Sequence, residues 1–138
     1  MSARRKARKR ALDVLFESEQ RGVEPLALLE TRQAEHGRPA DDYAGDLVRG
    51  VVAHQSEIDA LIAENLAGDW TMTRLPAVDR TAMRIAVYEL RFGEGVPAAV
   101  AVSEAVALVS DLSTDESPAY VNGVLSAVGA GDPGALAR

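Results

Sequence analysis

Apolar positions recur along this chain with the 3.6-residue period of helices, and glycine or proline interrupts them at intervals. The interruptions fall at Gly22, Pro25, Gly37, Pro39, Gly68, Pro76, Gly93, Pro97, Pro118 and Gly129 onward. Between them the pattern predicts six helices. The first covers about residues 4–21, with Ala11, Leu12, Leu15 and Phe16 on one face. A short second helix follows Pro25 and carries Leu26 and Leu29. The third opens near the cap candidates Asp41 and Asp42. It runs through Leu47, Val51, Ile58, Leu61, Ile62 and Leu66 to Gly68. The fourth starts at Pro76 and ends before Gly93. The fifth occupies roughly 100–112; its alternating valine and alanine also fit a strand, and the alanine content tips the balance to helix. The sixth has Ser117 as its expected N-cap and Pro118 at the first helical position. Val121, Val124, Leu125 and Val128 form its core face.

An all-α fold follows, with residues 68–75 separating two three-helix halves, 11–67 and 71–129. Each half is too small to stand alone, so the two are expected to pack as one unit. A glycine- and alanine-rich tail, 130–138, is expected to fray. Gly123 falls mid-helix beside Asn122, where it costs roughly 1 kcal/mol against alanine; a close helix approach is the expected reason.

Composition narrows the functional classes. The chain has 138 residues, the size of one domain, and 47% are hydrophobic. It has no cysteine, so disulfides and thiolate metal sites are excluded. No apolar run reaches the roughly 20 residues of a membrane span. No secretory h-region follows the basic N-terminus, and the expected location is cytoplasmic. There is no His-Glu-x-x-His, P-loop, dinucleotide loop or nucleophile elbow, so no enzyme, metal or cofactor is expected.

Charge changes the picture more. The net charge of −6 argues against nucleic acid, but the distribution does not. Arg4, Arg5, Lys6, Arg8, Lys9 and Arg10 crowd the first ten residues without one acid. They leave nine basic residues to face all 21 acids elsewhere. Arg4, Arg5 and Arg8 share the stripe of Leu12, Leu15 and Phe16, while Lys6, Lys9 and Arg10 lie opposite. The segment before Ala11 is therefore basic all round. It is expected to project from the body and to fray, because its charge opposes the helix dipole. A polyanion would neutralise and order it, as happens with arginine-rich RNA-binding segments.

Three other positions stand out. Glu89 projects into the apolar arc of Val78, Ala82, Ile85 and Ala86; the favoured reading is that it ties helices together, against catalytic acid. Arg80, Arg84 and Arg91, with Tyr88, line the opposite face, as a binding surface or as a solvated one with Arg84 paired to an acid. Trp70 is expected to anchor packing at the corner between the halves rather than to read a base.

The chain resembles the NusB family. The resemblance lies in Arg8-Lys9-Arg10-Ala11-Leu12-Asp13-Val14-Leu15-Phe16, in the run Val78-Asp79-Arg80 through Tyr88-Glu89-Leu90, in Val96-Pro97 with Ser103 to Leu108, and in Tyr120-Val121-Asn122-Gly123-Val124-Leu125. It covers about residues 4–128. It implies two packed three-helix subdomains. It also implies a transcription antitermination factor, without enzymatic activity, that binds boxA-type single-stranded leader RNA. The implied partners are NusE, a small-subunit ribosomal protein, and through other Nus factors the elongating RNA polymerase. Some members are monomers and others homodimers that cover the RNA surface. By matching positions, the resemblance implies RNA contact for Arg4, Arg5, Lys6, Arg8, Lys9, Glu116 and Tyr120, and NusE contact for Asp79 and Arg80. Asn65 stands where some members carry an RNA-contacting tyrosine. Replacing Arg4, Arg5 and Arg8 together is expected to abolish RNA binding and leave the far-ultraviolet circular dichroism nearly unchanged. The alternatives fit less well. They are a detached module like the N-terminal domain of ribosomal RNA cytosine methyltransferases, a helical DNA-binding regulator, and a small all-helical enzyme.

Overall fold

A computed structural model of the chain describes residues 2–131. Seven helices account for most of them, and no strand occurs among the described residues. They are α1 (Ala3–Arg21), α2 (Pro25–Glu35), α3 (Tyr43–Ala53), α4 (Gln55–Glu64), α5 (Ala77–Phe92), α6 (Ala98–Leu112) and α7 (Ser117–Ala130). The tail from residue 132 lies outside the described residues; before it, α7 runs on through Gly129 to Ala130.

Local chemistry explains the boundaries. Gly22 closes α1 in the left-handed region, at φ 65°, and returns its N–H to Ser18. Glu24 caps α2 by accepting from the Leu26 and Ala27 amides. Asp42, not Asp41, caps α3, accepting from Gly45 N–H at 2.7 Å. The expected long third helix is two helices, because His54 leaves helical geometry at φ −115°, ψ 17°. Its ring stacks on Phe92 of α5, with centroids 3.8 Å apart and planes 14° from parallel. The break keeps Val51 and Ile58 on the same buried side.

Ser117 is the first residue of α7 rather than its cap, and Glu116 occupies the cap position without a side-chain cap bond. The Ser117 hydroxyl is buried instead. It donates to Asp79 Oδ2 at 2.8 Å and accepts from the Thr114 amide, so it ties α7 to the start of α5.

The central element is α5, which packs against α1, α3, α4, α6 and α7. Its Ala82, Met83, Ile85, Ala86, Val87 and Leu90 are buried over nearly the whole circumference, as expected for a helix surrounded by others. One core joins both halves: Leu12, Leu47, Ile58 and Ile62 belong to the same cluster as Val109, Val121 and Leu125. Gly123 does not serve a close approach within the chain, since a Cβ there would meet nothing within 4 Å. Gly50 does: a Cβ there would lie 2.2 Å from the Tyr88 ring.

Candidate nucleic-acid interface

The basic segment is the first two turns of α1. Ser2 caps the helix by accepting from Arg5 N–H at 3.1 Å. No acid occupies the first turn, so the dipole is opposed and something else must hold the segment down. That something is a buried ion-pair network. Arg8, expected on a projecting arm, is 4% exposed, and Ala7 beside it is 2% exposed. The Arg8 guanidinium donates from Nε to Glu89 Oε1 at 3.0 Å, from Nη2 to Glu89 Oε2 at 2.9 Å, and from Nη1 to Glu104 Oε1 at 3.1 Å. The Tyr43 hydroxyl donates to the same Glu89 carboxylate. Burial and that carboxylate push the Tyr43 phenol far above its ordinary value, so it remains a donor. Glu89 thus joins α5 to α1 and α3, with every contact accounted for by hydrogen bonding. Docking, not projection, is the correction to the sequence expectation, and its cause is that two carboxylates from distant helices converge on Arg8.

Arg5 adds a partly exposed bond, donating from Nε to Glu104 Oε2 at 3.0 Å. Those hydrogen bonds hold the Glu104 carboxyl below the usual carboxylate range. The unfolded chain therefore takes up a proton at Glu104 before the folded one does. The stabilisation from the pair is present at neutral pH and is lost as pH falls from about 4.5 downward. In thermal melts, wild-type protein should exceed Glu104→Gln at about pH 7, and the gap should be narrower at about pH 3. A gap of the same size at both pH values would overturn this role for Glu104.

Of the remaining cations, Arg4, Lys6 and Lys9 are displayed on the outside. Arg4 and Lys6 are exposed. The Arg4 guanidinium lies over the Tyr43 ring, 3.8 Å from its centroid, which fixes its plane while leaving N–H edges for an anion. Lys9 pairs with Asp13 one turn on, at 2.8 Å, on an open surface. Beside Arg4 a groove of about 550 Å³ is lined by Tyr43, Arg49, Tyr88 and Phe92. Tyr43 and Arg49 were not singled out from sequence, because nothing in their local pattern connects them with residue 4.

At the start of α7, Tyr120 is half-buried. Its hydroxyl bridges the Ala67 backbone, accepting from the N–H at 3.1 Å and donating to the carbonyl at 3.3 Å. Glu116 is exposed one turn before it. Asn65 folds back on its own helix, donating to the Leu61 carbonyl at 2.8 Å. Trp70 is not a packing anchor: it is 45% exposed, with its ring centroid 6.0 Å from that of Tyr120.

The two residues matched to the partner surface are largely committed inside the fold. Asp79 is 3% exposed and holds Ser117, so it does not present a surface carboxylate. Arg80 donates to the Met72 carbonyl at 2.7 Å and the Leu75 carbonyl at 3.1 Å, and it pairs with Glu19. Arg84 pairs with Asp59 at 2.8 Å and with Glu19 at 3.2 Å. Burial resists ionisation of Glu19, yet the two arginines outweigh it and hold its carboxyl below the ordinary range. The arginine face of α5 is thus a paired face.

The family model described as the NusB family matches residues 5–130. The chain belongs to the NusB family. The transcription antitermination protein NusB of a Nocardioides species is 56% identical over 93% of this chain and 94% of its own length. Among solved structures, NusB of T. maritima superposes with a TM-score of 0.82 at 32% identity, covering 93% of this chain and 91% of that one. A structure of the antitermination factors NusB and NusE in complex with double-stranded RNA superposes with a TM-score of 0.78 at 33% identity, covering 91% of this chain and 94% of that one. The NusB fold is thus present with its basic N-terminal turns docked on α3, α5 and α6. No described helix is long and apolar enough to cross a membrane.

Proposed function

We propose that this chain is a non-enzymatic, cytoplasmic transcription antitermination factor that binds boxA-type single-stranded leader RNA together with NusE. Through other Nus factors it acts on the elongating RNA polymerase. The observation that carries this reading is the docked start of α1 in a chain whose family model spans residues 5–130. The Arg8–Glu89 pair fixes the helix, and Arg4, Arg5, Lys6 and Lys9 are displayed from it at set positions. They contact phosphates, while Arg8 is a positioning residue. Tyr120 offers a ring at the start of α7, and Glu116 accepts hydrogen bonds from base edges beside it. NusE is taken near the start of α5, around Arg80, with Asp79 acting from beneath by holding Ser117.

Anisotropy of a labelled boxA-type RNA, measured with and without NusE at several salt concentrations, tests this. Binding should tighten with NusE and fall with salt at a log–log slope of roughly −2 to −3, or about three to four phosphates on a single strand. The variant Arg4→Ala/Lys6→Ala/Lys9→Ala should lower the slope by about 2 and the affinity by roughly 10- to 100-fold. Its melting temperature should stay close to wild type. Equal RNA affinity in the two proteins would sink the role of these cations.

A further inference from the structure

Trp70 is one of three large hydrophobic side chains exposed among the described residues, and the one that is aromatic. It lies in the link between α4 and α5, in an open groove of about 360 Å³ shared with Gly68, Asp69, Arg74 and Tyr120. The Trp70 and Tyr120 rings meet at 59°, so they form two walls of a corner rather than a closed stack. The corner is built in advance. The Tyr120 hydroxyl is pinned to both backbone groups of Ala67, and Arg74 Nη1 donates to the Asp69 carbonyl at 3.2 Å. An exposed indole face with a second ring beside it offers a planar ligand two apolar surfaces to cover.

We propose that this corner is a nucleobase subsite, with Trp70 as the stacking platform for one unpaired base of the bound RNA. The proposal rests on the RNA-binding reading above. Charge selects the occupant. The lining carries one acid, Asp69, and one base, Arg74, so it lacks the run of basic side chains that makes a phosphate track. It suits an uncharged planar ring whose exocyclic amino group the Asp69 carboxylate accepts, with Arg74 reaching the attached phosphate. Asn65, folded back on the end of α4, offers no ring here, so the aromatic surface comes from the link and Tyr120.

The chain has one tryptophan, so its own fluorescence reports on this site alone. Titrating full-length protein with a short boxA-type single-stranded RNA should quench that emission in parallel with the anisotropy of a labelled RNA. Trp70→Ala should weaken RNA binding by about 5- to 150-fold. Trp70→Tyr should keep most of the affinity, and Trp70→Leu, apolar but not planar, should not. Suppose RNA binds, the arm variant loses it, and both tryptophan emission and the Trp70→Ala affinity stay unchanged. The subsite is then wrong and the RNA-binding reading stands. Failure of wild-type protein to bind RNA, alone or with NusE, would overturn both. A Trp70→Ala protein that keeps RNA but loses NusE would assign the corner to the protein partner and overturn the subsite.

Discussion

Arg8→Ala should destabilise the protein by about 3–5 kcal/mol, or on the order of 10–20 °C in Tm. Such a loss is a large fraction of the roughly 5–15 kcal/mol that holds a typical domain. The reason is the asymmetry of buried ion pairs. Glu89, 1% exposed, would keep the Tyr43 hydroxyl and lose every bond from the guanidinium. A buried carboxylate without its cation costs more than the intact pair contributes. Removing both charges is milder, so the double variant Arg8→Met/Glu89→Leu should be more stable than the two single losses added together. Arg5→Ala is the control, because the Arg5 side chain is 47% exposed and its loss leaves Glu104 with Arg8. Urea unfolding followed by circular dichroism measures each of these variants against wild type. A melting curve for Arg8→Ala that overlays wild type would show that the network does not carry the docking. This bears on function too. A triple replacement of Arg4, Arg5 and Arg8 would mix lost RNA contacts with lost stability, whereas Arg4, Lys6 and Lys9 test the contacts alone.

Gly50→Ala and Gly123→Ala should move stability in opposite directions although both glycines sit inside helices. At Gly50 a new methyl would lie 2.2 Å from Tyr88 Cε1 and 2.7 Å from its hydroxyl. The Tyr88 ring must shift to admit it. That ring stacks with Phe92 at 6.0 Å and with His54 at 6.3 Å, and Phe92 in turn holds the α3–α4 break through His54. Overpacking of this kind costs about 1–3 kcal/mol, offset by the roughly 1 kcal/mol that alanine gains in a helix, so a net loss is expected. At Gly123 the same gain comes without a clash, so Gly123→Ala should stabilise by about 0.5–1 kcal/mol. Paired thermal melts decide the matter. A stabilised Gly50→Ala would mean that α3 and α5 separate more easily than their packing indicates.

Much of this was legible in the residues alone. The periods of the apolar positions and the glycine and proline marks locate the helices, because both reflect local backbone physics. The Gly22 stop, the Asp42 cap and the helical reading of Ala98–Leu112 all rest on interactions within a few residues. The break at His54 left no such mark. Neither glycine nor proline is present there, and Val51 and Ile58 keep helical phase across it. The ring that His54 stacks on lies 38 residues away in sequence.

The start of α1 divides the two kinds of information most sharply. Charge asymmetry singled out the basic turns, and the helical stripe already put Arg8 in line with Leu12. Whether that arginine faces water or protein depends on Glu89 and Glu104, which sequence separation of 81 and 96 residues hides. The same holds for Asp79, buried by Ser117, and for Trp70, left exposed beside Tyr120. Periodicity, caps and charge density belong to short stretches of chain, so the helices and the basic segment could be read directly. The burial of an ionised or aromatic side chain depends on which distant partner satisfies it, and that is settled only when the helices pack.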